Sequence, residues 1–265
     1  MPTGIRRDVY AQKERMRKIY LIVTVLVLVL IVAVISYYLV TNFFAQPNSA
    51  NNNTITPDCS LRAALVDALY FTIPNDQFTG SLQQTLVNSG FEVDVFQGSD
   101  VTVDFLKNLQ SGYDLIVFRM HSALHNNDLY LFTGEPYSAS KYTDEQYFQL
   151  VKEAYATDDS NPVFAVNWGF IRRCMTGKFN DTLVVVMGCD GTRDSMLIDE
   201  FFNQGAAGFI SWDGRVLVSH SDSATLQLVK YLYLDGLSVR DATQKTNKLL
   251  GPDPNWDSIL EYYIP

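Results

Sequence analysis

The pattern of apolar positions divides the chain into one long uninterrupted run and a series of short, alternating runs. The long run, Ile19 to Val40, contains no charged residue. At about 1.5 Å per residue, an α-helix of this length crosses a hydrocarbon layer of about 30 Å. A secretory signal peptide is the alternative, but its apolar region usually has only about 7 to 15 residues. The run therefore predicts one retained transmembrane helix over residues 19–41.

After Cys59, short apolar runs alternate with segments of helical periodicity. The predicted strands are Ala63–Leu69, Phe91–Phe96, Leu115–Met120, Leu129–Phe132, Thr182–Met187 and Ala207–Ser211. The predicted helices are Phe78–Asn88, Val103–Leu109, Thr143–Tyr155, Asp194–Asn203, Ser221–Tyr233 and Val239–Leu249. Because strands that alternate with helices pair in parallel through crossovers, the pattern predicts an α/β fold: a three-layer α/β/α sandwich with a mostly parallel sheet. Residues 122–180, which contain the apolar run Val163–Ile171, have a looser rhythm and are interpreted as an insertion.

The distribution of charge predicts on which side of the membrane each part of the chain lies. The chain has 20 Lys and Arg against 29 Asp and Glu, for a net charge of −9. Six basic residues fall within residues 1–18, ahead of the apolar run, so the positive-inside rule predicts a cytoplasmic N-terminal tail. Residues 42–58 are then a flexible tether, and 59–265 form an extracytoplasmic domain of a single-pass membrane protein. The rest of the chain, after this basic tail, is acidic, which argues against nucleic acid as a partner.

The inventory of metal-binding and redox residues narrows the possible chemistry. The chain has only three Cys and three His, which excludes a multi-metal cluster or a disulfide-dense scaffold. Zinc-hydrolase, nucleotide-loop and dinucleotide fingerprints are missing from the sequence, so we expect no cofactor. The sequence contains no EF-hand loop for calcium, but its many acidic residues leave calcium binding as an open alternative. A disulfide between Cys59 and Cys174 is also left open.

Two predicted strands end in residues that can perform nucleophilic catalysis. Leu115–Met120 is followed by His121 and Ser122, and Thr182–Met187 is followed by Gly-Cys-Asp-Gly at 188–191. The carboxyl ends of parallel strands meet at the edge of the sheet where ligands bind. A thiol needs a base to become a good nucleophile, and an imidazole supplies one. Gly188 and Gly191 allow the backbone around Cys189 to turn sharply and present N–H groups to a substrate carbonyl.

The order of these motifs resembles the caspase-like superfamily of cysteine peptidases, which includes caspases, gingipains, clostripain and legumain. The resemblance covers about Ala63 to Lys248 and includes the stretch GAAGFISWDGRV and the helix SDSATLQLVKYLYLDGLSVRDA. It implies a Cys–His dyad with the His after the third strand and the Cys after the fourth. In that scheme Cys189 attacks the scissile carbonyl of a protein or peptide substrate, and His121 protonates the leaving amine.

The resemblance also suggests further site residues. The oxyanion donors would be the N–H of Cys189 and a turn beside the His, where Ser122 and Ala123 replace the His-Gly that is common in relatives. Clostripain and gingipains prefer basic P1 residues held by an acid. Asp213 is the corresponding candidate here, and Trp212 is a candidate pocket wall.

Two other interpretations stay open at this point. In the first, the caspase-like fold is retained without catalysis, as a surface module that binds a partner. In the second, the chain is a cysteine hydrolase of the amidotransferase type, whose base follows the nucleophile in sequence and would be His220. The second is less favoured because Met187 occupies the position where that type of turn usually has Gly.

Overall fold

The structure, a computed structural model, describes residues 26–31 and 61–265. The chain divides between Asp58 and Cys59 into two units, which are treated separately. In the first unit, residues 26–31 are helical and expose all of their apolar side chains. No helix in the described ranges is long and apolar enough to cross a membrane. The predicted tail and tether, and most of the predicted transmembrane helix, lie outside these ranges.

Residues 61–265 form a mixed α/β domain with two sheets. The strands are β1 (Leu61–Asp67), β2 (Phe91–Gln97), β3 (Leu115–Arg119), β4 (Ser122–His125), β5 (Asp128–Pro136), β6 (Val151–Ala154), β7 (Val163–Val166), β8 (Thr182–Val186), β9 (Ala206–Trp212) and β10 (Leu260–Tyr263). The helices are α1 (Asp76–Asn88), α2 (Val103–Lys107), α3 (Thr143–Tyr147), α4 (Trp168–Cys174), α5 (Ser195–Asn203), α6 (Val218–Tyr233) and α7 (Val239–Leu250), with a 3-10 turn at Gly98–Asp100.

The larger sheet has six strands in the order β10-β9-β8-β3-β1-β2 and is parallel except at β10. Along β3, Leu115 and Val117 pack into one core with α1, α6 and α7. Ile116 and Phe118 point the other way, into a core shared with α2, α4, α5 and the smaller sheet. A strand covered on both faces has no polar side, which explains its continuous apolar run. The predicted α/β class with a mostly parallel sheet and flanking helices is confirmed.

The smaller sheet is antiparallel, has the order β4-β5-β7-β6, and is built from residues 122–166. Here the sequence prediction was partly wrong. The predicted helix Thr143–Tyr155 ends at Tyr147, and Val151–Ala154 is a strand that pairs with β7. The backbone of Gln149 is left-handed, with φ of 56°, which stops the helix, and strand pairing then overrides local helix propensity. Val163–Ile171 likewise divides into β7 and the start of α4.

Candidate functional site

The candidate site lies at the carboxyl edge of β3 and β8, which are neighbours in the larger sheet. Phe118 is paired with Val186, and the N–H of Met187 donates to the Phe118 carbonyl oxygen at 2.9 Å. His121 and Cys189 follow these strands and line one cavity of about 20 Å³. That volume holds about one water molecule. The two residues predicted to form the dyad therefore line the same small cavity.

The two strand ends are joined by a close contact between Ser122 and the loop that carries the thiol. The Ser122 hydroxyl donates to the carbonyl oxygen of Cys189 at 2.6 Å. A Cβ at Gly188 would collide with the Ser122 Oγ and would lie only 2.8 Å from the Met120 carbonyl oxygen. Glycine at 188 is therefore required by the close approach of the backbone, and Ser122 holds the loop in position.

The turn after Cys189 is also tightly packed. A Cβ at Gly191 would collide with the Ser211 hydroxyl and lie 2.6 Å from the Ser211 Cβ. Asp190 is left-handed, with φ of 58°, and its N–H donates to the Gly214 carbonyl oxygen at 2.8 Å. The N–H of Cys189 itself finds no acceptor among the described residues.

The thiol of Cys189 lies beneath the backbone of Val216, whose N–H donates to Sγ at 3.4 Å. Burial raises the pKa of Cys189, and the negative charge of Asp190 acts in the same direction. The hydrogen bond from Val216 and the positive charge of Arg215 oppose that rise without cancelling it. Cys189 is therefore a neutral thiol at pH 7.

His121 is fixed through its backbone to the smaller sheet, because its carbonyl oxygen accepts from the N–H of Phe132 at 2.9 Å. The two rings approach edge to face, with centroids 6.3 Å apart. Burial lowers the pKa of His121, and the neighbouring Arg119 guanidinium lowers it further. The imidazole is therefore neutral at pH 7, in the form that accepts a proton.

An ion-paired cluster that the sequence analysis did not anticipate lies beneath the dyad. Arg119, 1% exposed, bonds to Asp67 at 2.9 Å and to Asp222 at 2.8 and 3.0 Å. Arg119 and Asp222 also line the dyad cavity. Burial raises the pKa of Asp67 despite the attraction of Arg119, and the Oδ2 of Asp67 has no partner among the described residues. The signal in the sequence was a single charge at the end of an otherwise apolar strand.

The two residues predicted to bind the P1 side chain, Trp212 and Asp213, form hydrogen bonds within the domain. Trp212 is 1% exposed, and its Nε1–H donates to the Ser221 hydroxyl at 3.0 Å. Asp213 accepts from the N–H of Ile259 at 2.8 Å and thereby fixes the start of β10. Neither residue lines the cavity shared by His121 and Cys189.

The remaining candidate residues lie apart from the dyad cavity. His220 packs against Trp212, with ring centroids 5.4 Å apart, and does not line the cavity. His125 is the last residue of β4 and is exposed. Cys174 forms no disulfide within the described residues, and its possible partner Cys59 lies outside them. Within residues 26–31 and 61–265, no group of three or more His, Cys, Asp or Glu could hold a metal ion.

Comparison with known proteins gives no family to which the chain can be assigned. It matches no family model and no curated protein sequence.

Proposed function

We propose that the chain is a caspase-like cysteine endopeptidase anchored in a membrane by its N-terminal helix, with its α/β domain outside the cytoplasm. The observation that carries this proposal is the shared cavity of His121 and Cys189 at the carboxyl edge of β3 and β8. A thiol nucleophile and an imidazole base close to each other are the pair of groups that covalent acyl transfer uses.

The topology of the larger sheet supports the same proposal. If only its strands are numbered along the chain, the order across the sheet is 2-1-3-4-5-6, with the sixth antiparallel. His121 follows the third of these strands and Cys189 follows the fourth. The caspase-like resemblance implies this placement. Helices on both faces favour the three-layer sandwich that belongs to it.

The proposed reaction divides peptide hydrolysis into two steps. In the first, His121 takes the proton of the Cys189 thiol while Sγ attacks the scissile carbonyl carbon. The protonated imidazole then gives that proton to the leaving amine, the C–N bond breaks, and an acyl-enzyme remains. In the second step, water loses a proton to His121, attacks the thioester and releases the acid and the free thiol. The Cys189 N–H donates to the substrate oxygen as negative charge develops on it.

The electrostatics of the site fit a mechanism that begins from two neutral groups. Burial and, to a smaller extent, the positive charge of Arg119 lower the pKa of His121 and disfavour a resting imidazolium, and burial raises the pKa of Cys189 and disfavours a resting thiolate. Proton transfer thus accompanies attack on the substrate. The resting thiol is protected from oxidation, which attacks thiolates preferentially.

Membrane attachment rests on the chain pattern. The uncharged run from Ile19 to Val40 follows six basic residues, and the described part of this run, residues 26–31, is helical with every apolar side chain exposed. Exposed Leu, Ile and Val on all sides of a helix suit contact with lipid. The proposed partners are accordingly the membrane and a protein or peptide substrate.

The role of Trp212 and Asp213 in selecting the P1 residue stays part of this proposal. Asp213 lies in the short segment between β9 and Val216, and the backbone of Val216 contacts the Cys189 thiol. A substrate strand that displaced the hydrogen bond to Ile259 would meet the Asp213 carboxylate. Preference for Arg or Lys at P1, lost in Asp213→Asn, is the expected result.

The second candidate function is a non-catalytic surface module that binds a protein partner. It is favoured by the raised pKa of Cys189 and by Ser122-Ala123 at the position where relatives have His-Gly. A thiol that is never used in catalysis can remain buried and protonated without cost.

The experiment that separates the two functions uses the full chain in detergent micelles and a mixed peptide library read by mass spectrometry. We expect cleavage by the wild type and by Cys174→Ala, which removes the other described thiol. We expect none by Cys189→Ala or His121→Ala, each shown to be folded by its thermal unfolding curve. If none of the four proteins cleaves any peptide, with or without limited proteolysis and added calcium, the result favours the binding module.

A further inference from the structure

A second cavity adjoins the dyad and has no assigned role. Its volume is about 410 Å³, within the range of about 300 to 1,000 Å³ of small-ligand pockets. It shares Leu69 and His121 with the dyad cavity, whereas Cys189 lines only the smaller one. His121 therefore lines both cavities, and we call the larger one the leaving-side groove.

The walls of the leaving-side groove are mainly apolar. They include Leu69, Phe71, Phe132 and Val163, and Gly98 also lines the groove. Phe71 is 70% exposed, and its ring lies so close to Gly98 that a Cβ there would collide with it. An aromatic ring held over a glycine and left open to solvent offers apolar contact to something outside the fold.

The polar groups of the groove contribute little to binding a charged ligand. The Thr133 hydroxyl is already committed, because it donates to the Phe164 carbonyl oxygen at 2.8 Å. Asp159 also lines the groove and is exposed, so it repels an acidic side chain, and solvent screens its attraction for a basic one. The chemistry of the groove thus fits an uncharged apolar side chain.

The direction of the reaction determines which part of a substrate would enter. Cys189 retains the acyl half of the cleaved peptide, and His121 protonates the amine of the departing half. The groove is lined by His121 and not by Cys189, so it lies on the side of the departing half. We infer that the leaving-side groove binds a large apolar side chain of the substrate directly after the scissile bond. This inference rests on the proposed peptidase function.

The test uses the full chain in detergent and peptides that share one acyl half and differ in the first residue of the leaving half. We expect Phe, Tyr, Leu or Ile there to raise kcat/KM about tenfold or more over Ser, because burial of such a side chain stabilises a complex by about 1.5 to 3 kcal/mol. Phe71→Ala lowers this ratio about tenfold. Ala156 is exposed and lines the groove, so Ala156→Trp fills it. We expect this variant to lose cleavage of the Phe peptide and to keep cleavage of the Ser peptide.

The control is Phe148→Ala, which removes an exposed Phe from a different hollow and leaves the ratio unchanged. If peptides are cleaved through Cys189 but kcat/KM is the same for apolar residues and for Ser at this position, this inference is overturned and the peptidase function stands. The same holds if Phe71→Ala does not alter the ratio. If the folded wild type cleaves no peptide, the peptidase function and this inference are both overturned.

Discussion

The hydroxyl of Ser122 donates a 2.6 Å hydrogen bond to the carbonyl oxygen of Cys189 and thereby joins the two strand ends that carry the candidate dyad. Ser122 is the first residue of β4 and follows His121 directly, so this bond ties the backbone next to His121 to the backbone of Cys189. Ser122 thus has a structural role in this chain.

Ser122→Ala is expected to lower the free energy of unfolding by about 1 kcal/mol, the usual contribution of such a hydrogen bond. We also expect kcat to fall more than KM rises, because the thiol loses its fixed position. Ser223→Ala is the matched control: its hydroxyl donates to the Ser219 carbonyl oxygen within α6 and is exposed. Urea unfolding and peptide kinetics measure both variants. Equal effects would contradict a special role for Ser122.

Gly188→Ala is expected to destabilise the domain by about 1 to 3 kcal/mol, because the new methyl group overlaps the Ser122 hydroxyl and the Met120 carbonyl oxygen. Gly80→Ala is the control, since Gly80 lies in α1 and a methyl group added there would meet no atom within 4 Å. Alanine in a helix is more favourable than glycine, so that variant gains up to about 1 kcal/mol. Thermal unfolding distinguishes them, and a neutral Gly188→Ala would show that the strand ends are not closely apposed.

Arg119→Met is expected to lower the free energy of unfolding by about 3 to 5 kcal/mol, because it leaves the buried carboxylates of Asp67 and Asp222 without a cation. Arg62→Met removes an ion pair with Asp94 whose side chains are 30% and 47% exposed, and we expect a loss below about 1 kcal/mol. Chemical denaturation measures both losses. Similar values for the two variants would mean that the buried cluster contributes no more than a surface pair.

The pH dependence of kcat/KM is expected to have an unusually broad plateau. The lowered pKa of His121 keeps the imidazole neutral below its ordinary value of 6.5, so activity persists to lower pH. The raised pKa of Cys189 moves the alkaline limb above the ordinary thiol value of 9.0. Iodoacetamide labelling of Cys189 in a Cys59→Ser, Cys174→Ser background measures the thiol pKa directly. A labelling midpoint below 9.0 would contradict the neutral resting dyad.

Membrane topology is tested by the accessibility of introduced cysteines. Single cysteines at Ser160 and at Thr3, in a background of the three Cys→Ser replacements, are treated with a membrane-impermeant thiol reagent on intact cells. We expect labelling at 160, which is in the domain, and none at 3, in the basic tail. Labelling only after lysis at both positions would contradict an external domain.

The amino-acid sequence by itself determined the α/β class, because apolar periodicity records which strands are buried on both faces. It also indicated His121 and Cys189, since strand order brings the carboxyl ends of parallel strands to one edge. The sequence did not reveal β6 or β10. The strand β6 pairs with the nearby β7 and β10 pairs with the distant β9, and in both cases strand pairing outweighs local propensity. Only the tertiary structure brought together Asp67, Arg119 and Asp222, and Phe71 with His121. Charge pairing and cavity walls depend on distances between segments that no local pattern encodes.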